Sequence, residues 1–141
     1  MRFVLDASIT MAWCFDDETA REAEATLMRL VADDEAVAPA LWLFEIGNAL
    51  AVGERRGRIT PDAADRFVAR LTNYPIRIEA GTLESIGPIL EISRRYRLSG
   101  YDAAYLELAL RERLPLITID AALRAAARKA GVATSIAART S

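Results

Sequence analysis

The 141-residue chain contains no histidine and one cysteine, Cys14. Without imidazole there is no histidine-based triad, no His-ligated zinc and no histidine general base, and a lone thiol permits neither an internal disulfide nor a thiolate cluster. What remains for metal chemistry is oxygen, the ligand of hard divalent cations. A surplus of charge is also missing. The 18 Lys and Arg against 20 Asp and Glu leave −2, without the cationic balance of a general nucleic-acid binder. No apolar run is long enough to span a bilayer, since the stretch from Val37 to Val52 holds Pro39, Glu45 and Asn48. The opening hydrophobic run breaks at Asp6, and Asp16, Asp17 and Glu18 follow soon after. The chain therefore reads as cytoplasmic, with no membrane partner.

A composition that is 52% hydrophobic and 27% charged suits a soluble globular chain, and a chain of this size buries roughly 68% of its unfolded surface. Residues 1–141 read as one domain, without repeat or linker. Arg2 to Asp6 is expected to form a buried strand, followed by a turn at Ala7-Ser8 and a short helical piece from Ile9 to Phe15. The acids 16–18 open a helix that runs through Thr19 to Ala32, where Ala23, Leu27, Leu30 and Val31 recur at helical spacing. Ala36 to Ala38 and Ile76 to Ile78 read as further strands. Between them lie helices from Leu41 to Arg56, capped by Gly57, and from Thr60-Pro61-Asp62 to about Thr72. Leu83 to Arg97 reads as a helix kinked or delayed by Gly87 and Pro88. Ser99 begins another that ends near Arg113. Leu116 to Ile119 is a fourth strand, Ala121 to Lys129 a helix stopped at Gly131, and Val132 to Ile136 can add an edge strand. Short apolar strands alternating with helices indicate an α/β fold around a mainly parallel sheet of four to five strands. Trp13, Trp42 and Phe44 read as core aromatics, or else as an interaction surface or base-stacking platform, and Cys14 as packing.

Two strands, at opposite ends of the chain, stop on an aspartate: Asp6 and Asp120. Acids at the ends of parallel strands can meet in the crevice beside a topological switch point, where their charges repel unless protons or cations neutralise them. Glu45 interrupts the apolar run Leu41 to Ile46, with Asn48 three residues on and on nearly the same helical face. Asp102 opens a helix whose next residues, Ala103-Ala104-Tyr105-Leu106, are packable. Each acid alone is equally well explained as a cap, a turn residue or a solvated group. Their combination is what points to a site.

The segments Val4-Leu5-Asp6-Ala7-Ser8, Pro39 to Leu50, Tyr101 to Ala109 and Pro115-Leu116-Ile117-Thr118-Ile119-Asp120 resemble the successive motifs of PIN-domain ribonucleases. More narrowly, they resemble the VapC toxins of type II toxin-antitoxin systems. The resemblance covers nearly the whole chain in order. It implies a three-layer α/β/α domain that cleaves RNA with Mg²⁺ or Mn²⁺, forms a homodimer and is inhibited by a cognate antitoxin protein. By the same resemblance, Asp6, Glu45, Asp102 and Asp120 match the four acids, Ser8 and Thr118 hydroxyl positions that support them, and Asn48 a nearby polar position. Ala121 and Ala122 stand where some members carry one more acid, which leaves one metal or two open.

Within that expectation Asp6, Asp102 and Asp120 are metal ligands, direct or through water, and Glu45 binds a second ion or orients the attacking water. Arg55, Arg56 and Arg58 form a basic cluster that either guides RNA or is a solvated helix end. Two other readings remain open: a metal-dependent phosphatase or phosphotransfer protein, and a noncatalytic RNA- or partner-binding module on the same fold. An aspartyl nucleophile commonly needs an acid two residues later, where this chain has Ser8.

Overall fold

A computed structural model describes residues 1–15 and 20–136. The strands β1 (Arg2–Leu5), β2 (Glu35–Pro39), β3 (Ile76–Glu79) and β4 (Leu116–Ile117) form one sheet in the order β3-β2-β1-β4. Every pairing is parallel, with Val4 opposite Val37 on one side and Leu116 on the other. Phe3, Val4, Leu5, Ala36, Val37 and Ala38 are completely buried. An unbroken apolar run, where a half-exposed strand would alternate, means that helices cover both faces.

The helices are α1 (Ala7–Cys14), α2 (Ala20–Val31), α3 (Leu41–Arg55), α4 (Pro61–Leu71), α5 (Ile86–Tyr96), α6 (Gly100–Glu112) and α7 (Ala121–Lys129). From β1 the chain steps outward to β2 and then β3, so right-handed crossovers place α1 to α4 on one face. It then returns past β2 and β1 to β4, and the reversed step sends α5 and α6 to the other. This is the three-layer α/β/α arrangement. The strand order reverses between β1 and β4, and their C-terminal ends emerge there side by side.

Several expected boundaries move, each for a local reason. The segment Ala7-Ser8 is the first turn of α1. The helix start expected from Asp16, Asp17, Glu18 and Thr19 lies outside the described residues. Thr60 caps α4 by accepting the Ala63 N–H at 3.1 Å. Gly57 (φ 70°) closes α3, with Gly57 N–H donating to Glu54 O at 3.1 Å and Arg58 N–H to Gly53 O at 2.8 Å. Before α5, residues Leu83–Ser85 form a 3-10 turn with a Thr82/Ser85 capping box, and Pro88 falls in the helix's first turn, where its missing N–H has no intrahelical role.

The extra edge strand from Val132 to Ile136 does not form, and the sheet has four strands among the described residues. Val132 N–H is spent closing α7 on Ala127 O at 2.9 Å, after Gly131 at φ 80°. One bond, Leu116 N–H to Ala133 O at 2.9 Å, is all that links that segment to β4. Trp42 is buried and Trp13 half-buried, with Nε1 donating to Ala23 O at 2.7 Å, but Phe44 is 72% exposed. Cys14 is half-buried against the core, as expected.

Candidate active site

Asp6 leaves β1 into the N-cap position of α1, yet its side chain makes no cap bond. Its Oδ2 instead accepts the hydroxyls of Ser8 and Thr118, both at 2.6 Å. Each hydroxyl also accepts a backbone N–H: Ile119 donates to Ser8 Oγ at 3.2 Å and Asp120 to Thr118 Oγ1 at 3.0 Å. A hydroxyl has one proton to give. With both protons directed at Asp6, the 3.3 Å approach of Ser8 to Thr118 is a packing contact. This latch explains why β4 stops at Ile117 although apolar residues continue to Ile119. Past that point the backbone N–H groups turn from the ladder to side-chain oxygens.

Arg124, on α7, fixes the latch from outside. Its guanidinium donates to the Thr118 carbonyl and to both carboxylate oxygens of Glu22, at 2.7 and 2.8 Å. Thr118 and Asp120 are thus tied to α2 as well as to β1. Sequence reasoning missed Arg124 and Glu22, which are 102 residues apart in the chain.

Asp120 is an exposed N-cap whose Oδ1 accepts the Leu123 N–H at 2.8 Å. Its cap role is therefore real, and one carboxylate oxygen stays uncommitted. Asp102 sits in the first turn of α6, where Ser99 Oγ accepts its backbone N–H at 3.1 Å. Among the described residues no hydrogen bond reaches the Asp102 carboxylate. Glu45, on α3, is half-buried, and its Oε1 accepts the hydroxyl of fully buried Tyr105 at 2.6 Å. From the sequence Tyr105 reads only as packable. Its signal was its place three residues after Asp102, on one face of α6, and the need of a buried tyrosine hydroxyl for a partner.

The acids perturb one another. Burial holds the Asp6 carboxyl above the usual carboxylate range against the lowering effect of Ser8 and Thr118, and the charge of Asp120 raises it further. Burial raises Asp102, with Asp120 and Asp6 adding to it. Glu45 is raised by burial, lowered by the Tyr105 hydroxyl, and raised again by Asp6 and Asp102. Tyr105 is pushed far above the tyrosine range by burial and by its bond to Glu45. These repulsions connect all four carboxylates. Asp120 acts on Asp6 and Asp102, and these two act on Glu45, so the four lie within electrostatic reach of one another at the strand ends.

Among the described residues no three acid or cysteine side chains are drawn together into a ready ligand set. The donor set is nevertheless all oxygen. Among the described residues no side chain donates to the second oxygen of Asp6, to the Asp102 carboxylate or to the second oxygen of Asp120, and no Lys or Arg forms an ion pair with them. Such an open arrangement fits a hard divalent cation that keeps part of its water shell, and does not fit a closed protein cage.

Asn48 is exposed, one turn beyond Glu45 on α3. Arg55, Arg56 and Arg58 are exposed too, and among the described residues none of them forms an ion pair with the acids. Arg56 and Arg58, but not Arg55, line a groove whose other end is formed by Ser8, Asn48 and Ile119.

A family model described as PIN domain matches residues 3–129. The fold is similar to that of PAE2754 from Pyrobaculum aerophilum, with a TM-score of 0.68, 24% identity, and coverage of 89% of this chain and 84% of that one. It is also similar to VapBC2 from Rickettsia felis, solved bound to a DNA fragment from its promoter, with a TM-score of 0.70, 11% identity, and coverage of 96% and 98%. For VapC20 of Mycobacterium tuberculosis, described as a Sarcin-Ricin loop cleaving toxin, the TM-score is 0.64, the identity 19%, and the coverage 88% and 94%. A search of curated protein sequences finds no match.

Proposed function

The chain belongs to the PIN domain family, and on that premise we propose that it is a metal-dependent endoribonuclease, the toxin of a type II toxin-antitoxin pair. The observation that carries the reading is the convergence of four carboxylates from the end of β1, α3, α6 and the segment after β4, with Asp120 repelling Asp6 and Asp102, and these two repelling Glu45. Helix caps and turn residues do not require such crowding, and a divalent cation relieves it. Support for RNA as substrate and for an antitoxin partner comes from the toxins with the same fold.

Asp6, Asp102 and Asp120 would hold Mg²⁺ or Mn²⁺, partly through water. When bound, that ion supplies a Lewis acid that makes water nucleophilic near neutral pH and offsets charge on the phosphoryl oxygens. The chain's own contribution is positional. Ser8 and Thr118 fix the rotamer of Asp6 and keep one of its oxygens turned to the site. Their hydroxyl protons are directed at that carboxylate, so neither is set up as a nucleophile. Glu45, pinned by Tyr105 through one oxygen, offers the other to orient a water and take its proton. Asn48 borders the entrance. A chain without histidine thereby assigns acid–base work to carboxylates whose burial raises their proton affinity.

In this reading residues 1–141 form one cytoplasmic nuclease domain that acts as a homodimer. Its antitoxin would present a cation to the uncompensated acids. Among the described residues no helix is long and apolar enough to cross a membrane. The phosphoenzyme alternative draws no support from the site, since the residue two after Asp6 is Ser8, which donates to it. Purified Asp6→Asn and Asp102→Asn proteins should lose Mg²⁺-dependent RNA cleavage while keeping the native circular dichroism spectrum. Undiminished cleavage by a folded Asp6→Asn protein would overturn the assignment.

A further inference from the structure

The groove that starts at Ser8 and ends at Arg56 and Arg58 has a volume of about 310 Å³ and lies between one face of α1 and one face of α3. On α1 that face runs from Ser8 to Phe15, which follows the helix. On α3 and its C-cap, Glu45, Asn48, Val52 and Arg56 recur at helical spacing, so a single stripe carries an acid of the site at one end and a cation at the other. Eleven residues separate Glu45 from Arg56, about 16 Å along the axis at 1.5 Å per residue.

The far end is built. Arg58 is placed by the turn after α3, where its N–H donates to Gly53 O at 2.8 Å, and its guanidinium lies 4.5 Å from the centroid of the Phe15 ring. That ring is seated against Gly53 so closely that a Cβ there would stand 2.9 Å from its Cζ. Among the described residues neither Arg56 nor Arg58 has a carboxylate within salt-bridge distance. Among the described residues the two cations therefore offer charge to the groove without a carboxylate partner.

We propose that this groove is the track of single-stranded RNA beside the acid site, with Arg56 and Arg58 binding phosphates on one side of the scissile bond. The proposal rests on the nuclease reading above. A polyanion approaching four carboxylates on a chain of net charge −2 needs cations beyond the reacting phosphate, or the flanking phosphates are repelled. Arg58 on Phe15 is held by stacking and by a closed turn, which reduces the entropy lost when it binds. Arg55 is outside the groove and contributes less.

The test uses the full chain carrying Asp6→Asn, to prevent cleavage, and fluorescein-labelled oligouridylate, whose binding is followed by anisotropy across a salt series. Adding Arg56→Gln and Arg58→Gln should flatten the dependence of log K on log salt by about 1.4, at about 0.7 per single-strand phosphate contact. Lysine at both positions should restore the slope, since either cation neutralises a phosphate. Arg94→Gln, an exposed change of the same charge on α5, should leave it unaltered. On the Asp6 background with Mg²⁺, the arginine pair should raise KM severalfold and change kcat little. A flattened slope supports the groove even if no metal-dependent cleavage is found, so failure of the nuclease reading is distinguishable. An unchanged slope and KM would overturn the proposal and leave the groove to a peptide occupant. A fall in kcat with an unchanged slope would overturn it too, by showing that the arginines act through the architecture of the site.

Discussion

Replacing Thr118 with valine keeps the branched shape of a completely buried side chain and removes only its hydroxyl. That hydroxyl donates to the Asp6 carboxylate at 2.6 Å and accepts the Asp120 N–H at 3.0 Å. A hydrogen bond to a charged group contributes about 1.5–3 kcal/mol and a neutral one about 0.5–1.5 kcal/mol. Some of the second is recovered, because Asp120 is exposed and water can reach it. The net destabilisation should be about 2–4 kcal/mol. Thr118→Ser keeps both bonds and loses one buried methyl group, a loss of about 1 kcal/mol. Urea denaturation at neutral pH should therefore rank wild type above serine and serine above valine. If the fold needs this side chain only to fill space, the order of the two variants reverses, and the latch is refuted.

The pH dependence supplies a second check with a fixed sign. The folded Asp6 carboxyl is raised above its unfolded value. The stability linked to it is therefore fully present below the unfolded pKa and is lost as pH rises through the folded one. Removing one hydroxyl donor raises the folded value further. The valine variant then loses more over the same rise, and its gap from wild type is widest above its own Asp6 pKa. Below both values the carboxyl is protonated, and the charge-assisted part of the gap disappears.

Other perturbations test separate contacts. Tyr105→Phe removes the donor that lowers Glu45, so the acid limb of the cleavage pH profile should move to higher pH, with a loss of about 1.5–3 kcal/mol in denaturation experiments. Arg124→Met frees the Thr118 carbonyl and Glu22; because Glu22 is 41% exposed at its side chain, the loss should be only about 1–2 kcal/mol, read as a fall of a few degrees in thermal midpoint. Arg97 holds φ 55° at the end of α5, and Arg97→Gly should raise stability by about 0.5–1 kcal/mol, after the added freedom of the unfolded glycine offsets part of the relieved strain. Mg²⁺ should raise the thermal midpoint of the wild type and not that of Asp6→Asn, and equal shifts would place the ion elsewhere.

The sheet and most helices were legible because their signals are local. Continuous apolar runs mark strands covered on both faces, and Thr60-Pro61 and Gly57 mark helix ends by backbone chemistry that no distant residue alters. The departures occur where a distant partner takes the backbone over. β4 is short because Ser8, more than a hundred positions earlier, accepts an N–H that a strand would have kept. The final segment fails as a strand because Val132 is used to close α7. Tyr105 and Arg124 stayed hidden for the same reason: each has the composition of an ordinary helix residue, and only its partner across the fold gives it a role.

The two aspartates that follow strands β1 and β4 and precede helices look equivalent in sequence and are not equivalent in the fold. Asp120 performs the cap that any aspartate before a helix can perform, and it remains exposed. Asp6 stands in the same local position and declines that bond; it is buried, and two hydroxyls hold it in place of the helix N–H groups. A carboxylate kept in that state has a raised proton affinity and raises that of Glu45 and Asp102, a destabilising choice if the residue served structure alone. Asp6 is thus the acid whose cap explanation the geometry removes. Asp120 is the one whose structural duty coincides with its proposed chemical one, so loss of function in an Asp120 variant must be accompanied by a measured stability before it is attributed to chemistry.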